Sequence, residues 1–197
     1  MPRPLRKIRK LRLYNVLKLG YLANERKQAK RLKRFGFLIQ TDLTDSRRLV
    51  AYNPTSKKVI FVSRGTDVFS PYDLTTDAAG VGLNRLQSTF RYQQDKAIYE
   101  KAKERFKDVP ITLVGHSLGG AIVSNLAQAG DRAITYNAAN IYNKRKPNVY
   151  SYRTAGDLIS LGQIGAKTLP NPGTFAERLN PLQAHNLSNI RDAPIFV

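Results

Sequence analysis

Apolar residues fall along this chain in short runs separated by longer polar stretches. The runs Phe37 to Gln40, Arg48 to Tyr52, Val59 to Val62, Ile111 to Val114, Arg132 to Tyr136 and Val149 to Tyr152 have the length and content of strands. Asn53-Pro54-Thr55-Ser56 joins two of them as a hairpin turn. Between Leu86 and Phe106 the apolar positions thin out to helical spacing, and Phe90, Ala97, Ile98, Ala102 and Phe106 are the expected buried stripe. A second helical region covers Leu13 to Arg34, with Tyr14, Leu17 and Tyr21 in one piece, Ala29, Leu32 and Phe35 in the next, and Gly20 as the break. From Leu161 onward Gly, Pro and Asn leave little regular pattern. Strands alternating with helices predict an α/β fold with a compact, mostly parallel sheet flanked by helices.

One run carries chemistry. Ile111 to Val114 ends in Gly115, a Gly-His-Ser-Leu-Gly-Gly turn follows, and a helix-compatible segment begins near Ser117. Strand, sharp turn and helix with a serine at the apex is the layout of a nucleophile elbow. A serine hydroxyl is a weak nucleophile and must be presented free of its neighbours to a base. So tight a turn requires chain segments without side chains, which Gly115 and Gly119 provide. The N–H of Leu118, at the new helix N-terminus, is an oxyanion donor.

The remaining parts follow by elimination. The chain has two histidines. His116 precedes Ser117, so its ring points away from the apex and is a packing group. That leaves His185 as general base. Asp131, Asp157 and Glu177 are the acids between Ser117 and His185. Asp131 follows Gly130 at the far end of the elbow helix, and Glu177 sits beside Arg178 as a surface ion pair. Asp157 lies on a Gly-Asp turn after a strand, at the edge where the elbow lies, and is the acid that orients the base. A second oxyanion donor is expected from Arg64-Gly65-Thr66, directly after the strand Lys58 to Val62, through the N–H of Thr66.

Taken together, these segments resemble the class 3 lipase family of the α/β-hydrolase superfamily. Phe61-Val62-Ser63-Arg64-Gly65-Thr66 is similar to the family's oxyanion strand, Ile111 to Ala121 to its elbow, and Tyr152 to Ile159 to its acid-bearing segment. The resemblance implies a Ser117–His185–Asp157 triad, oxyanion donors at Thr66 and Leu118, and no metal or organic cofactor. It also implies hydrolysis of carboxylic esters of lipids, of triacylglycerol lipase or phospholipase A1 type. Residues 68 to 80 correspond to a small lid. Leu158 stands where family members often have proline.

Charge adds a second theme. The 197 residues carry a formal net charge of +19 and no cysteine. Residues 1 to 34 hold 13 Lys or Arg against Glu25 alone, and the rest contributes only +7. Residues 1 to 36 therefore read as a basic arm and helix, and 37 to 197 as the hydrolase-like domain. The arm suggests an anionic partner, either a membrane surface or nucleic acid. The alternative to a lipid esterase is thus a basic nucleic-acid- or membrane-binding protein on a hydrolase fold with little catalysis. No secretory leader and no membrane-length apolar run is visible, which fits an intracellular or virion-associated protein.

Overall fold

The computed structural model describes residues 11–20, 25–65, 86–139, 146–163 and 165–197. Thr66, the segment 68 to 80, Met1 to Lys10, and Lys144 with Arg145 lie outside them. Seven strands form one sheet in chain order: β1 (Leu38–Ile39), β2 (Arg48–Asn53), β3 (Lys58–Ser63), β4 (Ile111–His116), β5 (Arg132–Tyr136), β6 (Val149–Thr154) and β7 (Lys167–Leu169). The pairs β1–β2 and β2–β3 are antiparallel, and every pair from β3 to β7 is parallel. The carboxyl ends of β3 to β7 therefore share one edge, where loops from several strands can meet.

The period-2 alternation of a strand divides the apolar residues between two cores. Val59 and Phe61 of β3 face a core shared with Leu113 of β4, α3 (Phe90–Arg105) and α4 (Leu118–Leu126). Ile60 and Val62 face the other way, into a core closed by Leu13, Val16 and Leu17 of α1 (Leu13–Gly20), Leu32 of α2 (Glu25–Lys33) and Ile190 near the C-terminus. α1 contributes the i, i+3, i+4 set Leu13, Val16 and Leu17, with Tyr14 only partly buried beside it. The Leu13 N–H donates to the Ile195 carbonyl and the Val197 N–H to the Leu11 carbonyl, tying the two ends of the described chain together.

α3 departs from its expected stripe. Phe90 is 74% exposed and Ala97 is exposed, while Ile98 and Phe106 are only partly buried. The buried face is instead Arg91, Tyr92, Asp95, Tyr99 and Ala102. Counting apolar positions misplaces this face, because three of its five residues are charged or hydroxylated and find partners only in the folded chain. The pattern-poor tail does form elements: α5 (Phe175–Leu179), opened by a Thr174–Glu177 capping box, and α6 (Pro181–Ala184). Glu177 is thus engaged by Thr174, and Arg178 Nε donates to the Gly173 carbonyl; the expected Glu177–Arg178 ion pair is not what holds this turn. No described helix is long and apolar enough to cross a membrane.

Candidate active site

The turn between β4 and α4 is as tight as its sequence requires. A Cβ on Gly115 would lie 2.3 Å from the Gly119 carbonyl oxygen, and one on Gly119 would lie 2.2 Å from that of Ser63. Any side chain at either position would push the elbow off the sheet. Ser117, between them, has φ 54 and ψ −127, a conformation that L-residues adopt at a cost of order 1–3 kcal/mol. Its backbone is over-determined: the N–H donates to Tyr136 and the carbonyl accepts from Ala121 and Ala139. Its side chain does not cap α4. Leu118 is the first residue of α4, so its N–H has no partner inside the helix.

Asp157 lies three residues past β6, and its N–H donates to the Thr154 carbonyl. Its carboxylate is 1% exposed. His185 Nδ1 lies 3.0 and 3.1 Å from the two carboxylate oxygens, the Ser160 hydroxyl donates at 2.7 Å, and the Ile159 N–H donates at 3.1 Å. Burial pushes the Asp157 carboxyl up, but the bonds from His185, Ser160 and Ile159 outweigh it and hold it below the ordinary carboxylate range. An ionised carboxylate only accepts, so His185 Nδ1 carries the proton toward Asp157. That leaves the Nε2 lone pair outward, and Nε2 is buried without a hydrogen-bond partner. It therefore makes no hydrogen bond to Ser117 in this ligand-free geometry, a separation common before substrate binds.

His116 is the link between the elbow and the base. Its ring packs 5.6 Å from Tyr136 and 4.9 Å from His185, and its Nε2 donates to the His185 carbonyl at 3.0 Å. Burial, and then the neighbouring His185, push its pKa down to about 3, so it is a neutral donor at ordinary pH. The expected packing role thus extends to holding the backbone of the other histidine.

Three further groups had no sequence signal. Asn137, fully buried at φ 45, follows β5. Its Oδ1 accepts from the Thr154 N–H at 2.8 Å, and its Nδ2 donates to the Ala184 carbonyl at 3.1 Å. One side chain thus joins the segment leading to Asp157 with the residue before His185. On the other side of the elbow, Asp95 and Arg91 of α3 form a buried ion pair at 3.0 Å. Arg91 also donates to the carbonyls of Arg64 and Arg47, at 2.9 and 3.0 Å, and Asp95 accepts from the Ser63 hydroxyl. Gly119 packs against this same Ser63–Arg64 backbone, so α3 sets the start of the Arg64-Gly65 turn.

The other candidate acid, Asp131, is placed elsewhere. It accepts from Tyr99, from Lys103 at 3.2 Å and from the Ile111 N–H at 2.8 Å, tying α3 to the start of β4. Among the described residues no group of three or more His, Cys, Asp or Glu side chains converges as a metal site would require.

The topology and the elbow together settle the architecture. The fold is that of the α/β-hydrolases. Among solved structures the chain is similar to the Lip2 lipase from Yarrowia lipolytica, with 14% identity, 81% of this chain and 76% of that one covered, and a TM-score of 0.51. It is likewise similar to a mutant form of MDLA from Penicillium cyclopium, with 14% identity, coverage of 82% and 76%, and a TM-score of 0.50. At such identity the likeness is one of fold. No family model and no curated protein matches the sequence.

Proposed function

We propose that the protein is a serine hydrolase cleaving carboxylic esters of lipids through Ser117, His185 and Asp157. The observation that carries this reading is the polarity of His185. One ring nitrogen is committed to a buried carboxylate, and the other is kept dry and unbonded in the neighbourhood of a strained serine. A structural histidine would have both nitrogens engaged or one in solvent. Nε2 takes the Ser117 proton as Oγ attacks the ester carbonyl. Asp157 holds the tautomer and stabilises the imidazolium. The N–H of Leu118, with that of Thr66, receives the oxyanion, each donor contributing on the order of 3 kcal/mol to the barrier reduction. The imidazolium then protonates the leaving alcohol, and water releases the acyl group by the reverse sequence. The lipid substrate class rests on the two structural neighbours being a lipase and a protein of the same fold, and on the matched motifs.

The alternative, a binding protein on an idle fold, draws on the surplus of positive charge. It gives no reason for the strained backbone of Ser117 or the spare nitrogen of His185. Fluorophosphonate labelling and hydrolysis of a mixed-lipid panel test the proposal. Ser117→Ala is expected to abolish labelling and to lower kcat on the order of 10⁶-fold. Unchanged hydrolysis by the pure variant overturns it, and the product released by the wild type names the bond cut.

A further inference from the structure

The positive charge has a place in the fold that the proposed chemistry does not use. Leu32 anchors α2 in the second core, while Lys30, Arg31, Lys33 and Arg34 are exposed around it. The turn after α2 is fastened to the β2–β3 hairpin, where Asn53 Nδ2 donates to the Phe35 carbonyl at 3.0 Å. Asn53 pairs across the hairpin with Lys58, and Lys57 precedes it; both lysines are exposed. Six cations therefore share one corner, and none forms an ion pair with a described residue.

Local structure explains only part of this. Cations on the last turn of α2 suit the helix dipole. Lys57 and Lys58 are on no helix. Lys57 has φ 50, a turn conformation that glycine or asparagine adopts at lower cost. Crowding like charges at a strained position destabilises the free protein and is offset only when an anion is present.

The position of the corner decides which anion. The hairpin lies at the amino end of β3, and the elbow follows the carboxyl end of the neighbouring six-residue strand β4. At about 3.3 Å per residue, the two lie about 20 Å apart at opposite edges of the sheet. A bilayer bound at this corner would leave the elbow facing away from it. A polyphosphate chain bound there leaves the elbow open.

We propose that the corner formed by the end of α2 and the β2–β3 hairpin is a nucleic-acid backbone site, separate from the elbow. It reads phosphates, not base sequence, and so binds duplexes of different sequence alike. The test is binding of a mixed-sequence DNA duplex across a salt series. The probe variant carries Lys33→Gln, Arg34→Gln, Lys57→Gln and Lys58→Gln. The control variant loses four exposed cations elsewhere, through Lys96→Gln, Lys101→Gln, Lys167→Gln and Arg191→Gln. Wild type and control are expected to show the same steep decline of log affinity with log salt. The probe variant is expected to be shallower by about three, near 0.9 for each lost phosphate contact. Thermal melts confirm that both variants fold. Equal losses in the two variants, or none in either, overturn the proposal. So does a preference of the wild type for phosphatidylserine vesicles over DNA that depends on the same four residues. None of these readings involves Ser117, so the outcome is independent of the hydrolase assignment.

Discussion

Asp95 and Asp157 are both buried near the carboxyl edge of the sheet, on either side of the elbow, and their surroundings differ in one respect. Around Asp95 every strong donor is spent. Arg91 Nε meets the carboxylate, its NH2 meets two backbone carbonyls, and Ser63 donates from β3. Arg48 adds a charge contact at 3.2 Å. Around Asp157 the chain of donors runs through His185 and stops at an atom with nothing bound to it. A closed set of charges holds backbone in place. An open one has a proton acceptor in reserve. The same ingredients, a carboxylate and a cationic or basic partner, thus build a brace in one place and a reactive group in the other.

Substituting the two acids in parallel breaks this comparison most sharply. Asp157→Asn leaves His185 without its orienting acceptor, and kcat for ester hydrolysis is expected to fall on the order of 10⁴-fold. Its unfolding midpoint in urea should move much less than that of Asp95→Asn. Removing the charge of Asp95 leaves Arg91 and Arg48 buried without a counter-ion, which costs about 3–5 kcal/mol of stability. Its activity per folded molecule should fall far less than in Asp157→Asn. If the two variants lose activity and stability in the same proportion, the distinction between brace and reactive group is wrong.

Asn137 sharpens the comparison on the open side. Asn137→Ala removes both bonds that tie the acid's segment to the base's, and it places alanine at φ 45. Displacement of a reacting group by about 1 Å costs about 10²-fold, so kcat is expected to fall by that order with KM nearly unchanged. Asn137→Asp keeps the acceptor for Thr154 but not the donor to Ala184, and should retain more stability than activity. A KM effect without a kcat effect would place Asn137 in substrate binding instead.

What the sequence revealed tracks how local each constraint is. Gly115, Ser117 and Gly119 were legible because steric limits act within five residues. The order of β3 to β7 was legible because each strand carries its own apolar run. Asp157 and His185 could be chosen because the chain has only two histidines and few acids after the elbow. The buried face of α3 was not legible, because Arg91, Asp95 and Tyr99 read as solvent-facing until β3 and Asp131 supply their partners. Asn137 was hidden for the same reason: an asparagine after a strand reads as a turn. Thr66 lies outside the described residues, and its assignment still rests on the motif.

The smallest expected effect concerns the neutral histidine. His116 has a pKa of about 3 in the folded chain, against 6.5 when unfolded. Below pH 6.5 the unfolded chain takes up a proton that the folded chain refuses. Stability from this group is therefore complete above about pH 6.5 and declines as pH falls toward 3. Asp157 acts in the same direction but lower, because its folded carboxyl lies below 3.8. Between about pH 7.5 and pH 5 Asp157 stays ionised in both states, so His116 can be read apart from it. Over that interval one refused proton costs about 2 kcal/mol. His116→Gln keeps an amide donor for the His185 carbonyl and does not titrate. Its urea midpoint should fall by less than the wild type's when pH drops from about 7.5 to about 5, with His185 present in both. An equal fall would mean that the proton is taken up elsewhere, and that His116 does not hold the base as a neutral donor.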